Sequence, residues 1–501
     1  MNLGNFLAAA ARRYPHKSAV VCDGKKISCL TLQSRAEKLA GSLYRYGVIK
    51  GAKAAILSYN SIEYIEIIFA LMKLGAVCVP LNHRLTPQDI NELVHHAGVE
   101  TLFYDQALEP LVPFGARDIK NFIVTGCDKS CDALSYDSLF SSPAGSYPDQ
   151  KVTMADESFL IYTAGTTGRP KGVVLTHGNQ ISNTRNYTAA YGMQPQDIEL
   201  APTPLFHSST LGRVFTYMYN CATFILCRKF EPESCLDLIR KEKVTSITQA
   251  PTMYQIMLQA FKQGTWDTRS VKRVVTGASP MTVRSKEDLR NLFPCAGFFD
   301  LYGLTEAAPG VSILTPRDFE RKALSVGTPM LSVDVLIKDE SGAAVPSGHI
   351  GEIVCRGKNV MKGYYHDPEA TADALQQGWL HTGDMGMLDD EGFLYICGRK
   401  KEIIISGGEN IYPGEVEKVL MEHPCIHDAA VFGVPDDTWG EKTVAAVVLK
   451  ESRLCAEKEI IAFSRKHLAG FKCPRAICFL RELPRNAAQK VLRKELQKYF
   501  L

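Results

Sequence analysis

The 501-residue chain has no disulfide framework. Its fifteen cysteines are scattered singly, none forms C-x-x-C, and the two nearest in sequence are Cys127 and Cys131. No secretory signal precedes them, so they read as reduced thiols of a cytoplasmic protein, most of them small core residues. There is also no long block of one charge sign. Net charge is only +3, and the densest basic run, Arg399-Lys400-Lys401, is followed at once by Glu402. Nothing here favours nucleic acid or an acidic membrane surface as a partner. No charge-free apolar run is long enough for a membrane span. The most apolar stretch, Ile62 to Val79, contains Glu63, Glu66 and Lys73 and is interrupted at Gly75, which predicts a buried helix feeding a strand. No acidic residue precedes Asp23. That start, with Arg12 and Arg13, fits a transit peptide, but an amphipathic first helix stopped near Pro15 is the stronger reading. Internal repeats and low-complexity tracts are absent.

What is present suffices for two or more domains with ordinary cores: 46% hydrophobic and 22% charged residues. The first 150 residues alternate helix and strand patterns. Leu32, Ala36, Leu39, Ala40 and Leu43 share one helical face, "AAILS", "AVCVP" and "TLFYD" read as strands, and Thr86-Pro87 opens a helix to about His96. Loop-rich sequence over 126–152 marks a boundary. A second unit alternates over 155–310 through "SFLIYT", "TFILC", "SITQA" and "VKRVVTGAS". Such alternation predicts parallel sheets flanked by helices. Over 326–398 the texture changes to short strands with Gly/Asp turns. The last hundred residues mix helix (413–422, 456–468, 489–499) with strand, as a separate small domain would.

The stretch "YTAGTTGRPKG", Tyr162 to Gly172, holds glycines, hydroxyls and two cations together. Glycines let successive N–H groups face one anion, and Arg169 and Lys171 can neutralise phosphate charge. It is not an ordinary P-loop: Lys171 follows Pro170, Gly172 follows Lys171, and the next residues, "VVLTH", are strand-like rather than helical. On composition alone, a Gly/Thr surface turn with an incidental lysine fits about equally well.

"YTAGTTGRPKGVVLTH" resembles the phosphate-binding signature of the AMP-forming acyl-adenylating enzymes. "DLYGLTE" (300–306), "GWLHTGD" (378–384), "GRKKEIIISGGENIYPGEVE" (398–417), "VFGVPDDTWGE" (431–441) and "LPRNAAQK" (483–490) follow in that family's order and cover nearly the whole chain. The resemblance implies an α/β fold. A large N-terminal domain, 1–398, would hold two stacked α/β subdomains and a small β-barrel-like element. A small mobile α+β domain, 399–501, would follow, with its hinge near Lys401. It further implies two half-reactions: a carboxylate attacks the α-phosphate of ATP, and a thiol, usually that of coenzyme A, then displaces AMP.

Roles follow from the same resemblance. Thr163, Gly165, Thr166, Thr167, Gly168 and Lys171 would hold the β- and γ-phosphates. Glu306 would bind Mg2+, as a carboxylate suits a hard cation. Thr305 would contact the α-phosphate. Tyr302, beside Asp300 and Gly303, would face adenine opposite Gly277, Ala278 and Ser279. Asp384 and Arg399 would hold the ribose. Gly407 and Gly408 would let backbone line a pantetheine channel. His207 would sit between nucleotide and acid, and Lys490 would hold the attacking carboxylate against the α-phosphate. Each of these, taken singly, also has an ordinary structural reading as a core, turn or solvated residue.

This chain departs from the family at Ala164, where serine is usual, at Gln489, where glycine is usual, and at Ile405, a lysine in some relatives. "PLFHSSTLGR" (204–213) resembles the border of the acyl pocket. It lacks the aspartate that would pair with an α-ammonium, so the acid is expected to have no α-amino group. Ser208, Ser209, Thr210 and Arg213 allow a hydroxylated or second-carboxylate acid, and a solvated helix start is favoured over both. Ala307, Ala308 and Gly310 leave room for a medium chain or a ring. An acid–CoA ligase leads. Loading of a separate carrier protein and an inactive nucleotide-binding scaffold are the alternatives, and a homodimer is left open.

Overall fold

The computed structural model describes residues 2–127, 133–141, 147–163, 170–277, 283–450, 453–485 and 491–500. Four sheets organise them. An eight-stranded sheet runs, in spatial order, through Gly363–Tyr364, Lys171–Thr176, Glu157–Thr163, Val77–Pro80, Lys53–Leu57, Thr101–Asp105, Asn121–Thr125 and Leu134–Ser135. A nine-stranded sheet runs through Thr328–Pro329, Gly310–Leu314, Gly297–Gly303, Arg273–Gly277, Ser246–Thr248, Ile198–Ala201, Thr223–Leu226, Ser18–Cys22 and Lys25–Ser28. Their central strands are parallel and, but for half-buried Lys53 at the start of Lys53–Leu57, buried, as strands covered by helices on both faces must be.

The boundary between these units differs from the sequence expectation. Ser18–Cys22 pairs in parallel with Thr223–Leu226, so the first strand of the chain belongs to the second sheet. The hairpin Glu157–Thr176 joins the first sheet instead, where Phe159 pairs with Cys78. Alternation specifies parallel strands but not which sheet receives them. A third sheet is built from Val333–Lys338, Gly351–Gly357, Leu375–Gln376, Trp379–Leu388 and Leu394–Arg399. The small C-terminal domain carries a fourth, with Ile426–Asp436 and Gly440–Leu449 as its long hairpin.

Local signals account for the helix ends. Ser61 caps Ile62–Leu74, which stops at left-handed Gly75 (φ 68°) and hands the chain to Val77–Pro80. Thr86 and Asp89 form a reciprocal capping box around Pro87. The helix expected over 489–499 is shorter, Arg493–Gln497, because Val491 instead bridges Arg485 in an antiparallel pair. Among the described residues no helix is long and apolar enough to cross a membrane, and every cysteine is free.

Candidate active site

The site grows from the end of the strand Gly297–Gly303. Beyond it the chain turns back so tightly that a Cβ on Gly303 would stand 1.9 Å from the Pro309 carbonyl oxygen. Only glycine fits, and the Leu304 N–H donates to that same oxygen at 3.0 Å. One short turn, Thr305–Ala307, is thereby presented at the strand's end. The Asn359 amide pins it from below, donating to the carbonyls of Ala307 and Gly310, both at 2.8 Å. Thr305 Oγ1 meets Ser208 Oγ at 3.1 Å. Glu306 Oε1 accepts from the Tyr364 hydroxyl at 3.0 Å.

Tyr364 connects this turn to the hairpin formed by Glu157–Thr163 and Lys171–Thr176. It belongs to a two-residue strand paired with Lys171–Thr176, and the Lys171 ammonium lies 4.8 Å above its ring. Thr163 and Lys171 are register partners across the hairpin, so the intervening loop is closed at its base between two strands, as the sequence predicts. Lys171, Tyr364 and Glu306 thus converge, although their sequence positions are far apart. Tyr364 was not legible beforehand: "GYY" carries no chemical signature until the strand pairing places it. The loop residues Gly165, Thr166, Thr167 and Gly168, with Ala164, lie outside the described residues. So do Ala278, Ser279, Gln489 and Lys490.

A second cluster forms around Asp384. Its carboxylate, buried, accepts from the Tyr302 hydroxyl at 2.6 Å and pairs with Arg399 Nε at 2.8 Å. Asp384 and Arg399 are register partners on adjacent strands of the third sheet. Tyr302 reaches them from the second sheet, so this triad lies where the two sheets meet. Burial, and then the facing carboxylate, raise the Tyr302 phenol well above its ordinary pKa, so it remains a donor. Asp300 is buried on the same strand, in register with Thr276. Gly277 faces Leu301, whose carbonyl oxygen would stand 2.6 Å from an added Cβ, so the two strands approach closely where they leave the sheet.

His207 precedes the helix Ser208–Tyr219. Burial, reinforced by Arg84 and His83, lowers its pKa to about 4, so it is a neutral imidazole at physiological pH. The expectation of a solvated helix start is overturned here. Ser208, Thr210 and Arg213 are buried, because this helix packs against the helix His177–Tyr191 inside the core. Arg213 does not offer an unbalanced charge: its Nε lies 3.4 Å from Glu199 Oε1, and Glu199 also accepts from the Tyr217 hydroxyl at 2.7 Å. Arg273 is similarly answered by Asp197 at 3.3 Å.

The helix His177–Tyr191 is polar in sequence yet buried, and its residues were not singled out beforehand. Its only local signal is the capping pair Thr176 and Asn179. Gln180 and Asn183 are both fully buried. Both amide atoms of Gln180 and the Nδ2 of Asn183 lack a hydrogen bond. They face Gly212, where an added Cβ would stand 3.3 Å from Asn183 Nδ2, 3.4 Å from Gln180 Oε1 and 3.7 Å from the Ala308 carbonyl oxygen. Gly212 is four residues, about 6 Å of helix rise, beyond Ser208.

Lys401 lies in the short turn Lys400–Glu402, between the last strand of the third sheet and the first of the small domain. Its neighbours are anchored on both sides, Lys400 to Glu352 and Glu402 to Arg493, each at 2.8 Å. Gly407 and Gly408 make the hairpin turn that follows, with φ of 61° and 85°. Gly407 packs beneath the Trp439 ring, within 2.6 Å of an added Cβ.

Residues 7–365 match the AMP-binding enzyme family, and residues 415–490 match the AMP-binding enzyme C-terminal domain. The chain is 36% identical over 508 aligned residues to a feruloyl-CoA synthase of Amycolatopsis sp, covering 99% of each. It is 33% identical to a 2-succinylbenzoate–CoA ligase of Bacillus cereus (strain Q1), covering 98% of each. It also superimposes on the o-succinylbenzoate CoA synthetase of Bacillus subtilis bound to its acyl-adenylate intermediate. That match has a TM-score of 0.87 at 31% identity, with 98% of each chain covered. Another structure of the Bacillus subtilis enzyme holds ATP and a magnesium ion. The chain belongs to the AMP-binding enzyme family, as one of its AMP-forming acid–CoA ligases that use ATP, Mg2+ and coenzyme A.

Proposed function

We propose that this ligase activates an aromatic carboxylic acid carrying a neutral hydrogen-bonding substituent. The observation that carries the reading is the buried, unpartnered amide of Gln180, with Asn183 beside it, facing Gly212 one helical turn beyond the Ser208–Thr305 contact. A buried polar atom without a partner costs about 1–3 kcal/mol, which a ligand group can recover. Arg213 and Arg273 are each balanced by a buried carboxylate, so the wall presents dipoles rather than a net charge for a second carboxylate. The relatives named for ferulate and 2-succinylbenzoate take their names from ring-bearing acids, which supports the aromatic ring.

In the reaction, a carboxylate oxygen forms a bond to the α-phosphorus of ATP and the bond to pyrophosphate breaks. The thiol sulfur of coenzyme A then bonds to the acyl carbon, AMP leaves and the thiol proton passes to solvent. Lys171 and Thr163 sit at the base of the loop to which we assign the departing pyrophosphate. Asp384, braced by Tyr302 and Arg399, is assigned to the ribose hydroxyls, and Gly277 and Tyr302 to the adenine. Thr305 is assigned to the α-phosphate. The Glu306 carboxylate, oriented by Tyr364, has the oxygen chemistry a magnesium ion takes, and that ion supplies neutralisation of phosphate charge. His207, being neutral, partitions acid from nucleotide and offers one N–H rather than a positive charge. We assign Lys490 to the carboxylate and α-phosphate, carried by the small domain (399–501) turning about Lys401. Gly407 and Gly408 are assigned to the pantetheine channel after that turn. The scattered free cysteines support a cytoplasmic location.

Pyrophosphate exchange across a panel of acids tests the substrate class. Hydroxylated or keto-bearing aryl acids should support exchange best. Gln180→Leu should lower the preference for a substituted over an unsubstituted ring about 10-fold, near 1.4 kcal/mol. Equal exchange with straight-chain saturated acids, or unchanged discrimination in the variant, would reject the proposal.

A further inference from the structure

The small domain carries a second constellation, remote in sequence from every residue assigned above. The helix Pro413–Met421 ends in a turn bearing His423 and Cys425, just before the strand Ile426–Asp436. Cys455 lies just before the helix Glu457–His467. One ligand atom from each of these three side chains lies within 4.8 Å of the other two. Among the described residues no other three His, Cys, Asp or Glu side chains converge in this way. A fourth donor stands beside Cys455, outside that 4.8 Å group: Glu459 Oε2 is 3.1 Å from Cys455 Sγ.

From these contacts we infer that His423, Cys425, Cys455 and Glu459 form a structural site for a thiophilic divalent cation of the zinc class. The donor set is two thiolates, one imidazole and one carboxylate, the mixture that a four-coordinate d10 ion accepts. Zinc–sulfur bonds of about 2.3 Å place tetrahedral ligand atoms about 3.8 Å apart. His423, Cys425 and Cys455 therefore need to contract by about 1 Å from the 4.8 Å bound, and Glu459 to turn from Cys455 toward the cation. Binding converts two thiols to thiolates and releases two protons to solvent. Two thiolates, a carboxylate and the dication sum to one negative charge. The Lys450 ammonium lies close by, donating to the Pro424 carbonyl between the two ligands of the turn at 2.8 Å.

One contact must be exchanged on binding: His423 Nδ1 now accepts the Cys425 backbone N–H at 3.3 Å and would give that lone pair to the cation, while the His423 ring is held edge-on to Phe463 at a centroid distance of 4.9 Å. The Ala456 N–H holds Glu459 Oε2 at 3.1 Å. The two donor pairs, H-x-C and C-x3-E, sit on separate segments. A cation would therefore tie the end of one helix to the start of another on one face of the C-terminal sheet, where both helices share a hydrophobic cluster. The site is outside the reaction chemistry, so its role is stability of the small domain.

Cobalt(II) titration of the full reduced chain reads the site directly. One equivalent should produce thiolate-to-cobalt charge transfer and the intense visible bands of tetrahedral cobalt, and zinc should abolish both. Cys455→Ser should remove the charge transfer, whereas Cys227→Ser, in the buried Cys227–Cys235 pair, should leave it intact. Zinc should also shield Cys425 and Cys455 from alkylation in the unaltered protein, a readout that needs no variant to fold. Acyl-adenylate formation should be unchanged in Cys455→Ser. Absence of the cobalt bands, their persistence in Cys455→Ser, or a Cys425–Cys455 disulfide under reducing conditions would overturn the inference.

Discussion

Mild acid should loosen the N-terminus through one histidine. His177 is fully buried, and its Nδ1 accepts the backbone N–H of Leu3 at 3.2 Å. The proton of the neutral ring must therefore sit on Nε2, which has no partner. Burial lowers the pKa to about 4, and nearby Asp156 opposes the shift only in part. The folded value lies below the unfolded value of about 6.5, so the fold favours the neutral form. Above the unfolded value both states are neutral and this contribution is fully present. As pH falls from about 6.5 to about 4, the unfolded chain takes up a proton that the native chain refuses, and stability is lost. The full loss is about 2.5 × 1.36, or about 3.4 kcal/mol, of which about 1.4 kcal/mol is gone by about pH 5.5. Asn at this position keeps an acceptor for Leu3 without titrating. Denaturant unfolding of wild type and His177→Asn, at neutral pH and at about pH 5.5, isolates the effect from other histidines. Wild type should lose about 1.4 kcal/mol more than the variant. Equal losses in both proteins would refute the assignment of the proton and the cause of the shift.

Asp384→Asn should raise the KM for ATP about 10- to 100-fold, the equivalent of about 1.5–3 kcal/mol for charge-assisted hydrogen bonds. Combined with Tyr302→Phe, the effects should fall short of additive, since both act through the 2.6 Å contact, and strict additivity would contradict that coupling. Gly303→Ala should destabilise the large domain by about 3 kcal/mol and abolish pyrophosphate exchange, because the methyl group meets the Pro309 carbonyl. An unchanged melting temperature would show the turn to be looser than described. Lys490→Ala should slow acyl-adenylate formation by about 100-fold or more while sparing thioester formation from supplied acyl-adenylate. Equal loss in both half-reactions would remove that residue from its assigned role.

Much of the site was legible because its parts are local motifs. The hairpin follows from strand-like residues on both sides of a glycine-rich stretch, and Thr163 and Lys171 do close its base. Thr305 and Glu306 were readable through the motif "DLYGLTE", whose resemblance to the family singled them out. Other residues carried no local mark. Tyr364 matters only because its two-residue strand pairs beside Lys171, placing its hydroxyl on Glu306. Gln180 and Asn183 sit on a helix whose polar sequence suggests a solvated surface, and Arg213 reads as exposed until Glu199 is placed against it.

The sequence by itself determined the helix caps, the alternation that makes parallel sheets, the turn chemistry of the phosphate loop and the order of the family's motifs. These depend on backbone sterics and on periodicities within a few residues. Tertiary structure alone decided that Ser18–Cys22 joins the second sheet, that Tyr302, Asp384 and Arg399 meet, and that the buried charges of Arg213 and Glu199 cancel. Each of these is a pairing across a large sequence separation. Strand order, desolvation and the demand that buried polar groups find partners set such pairings, and no local pattern encodes them.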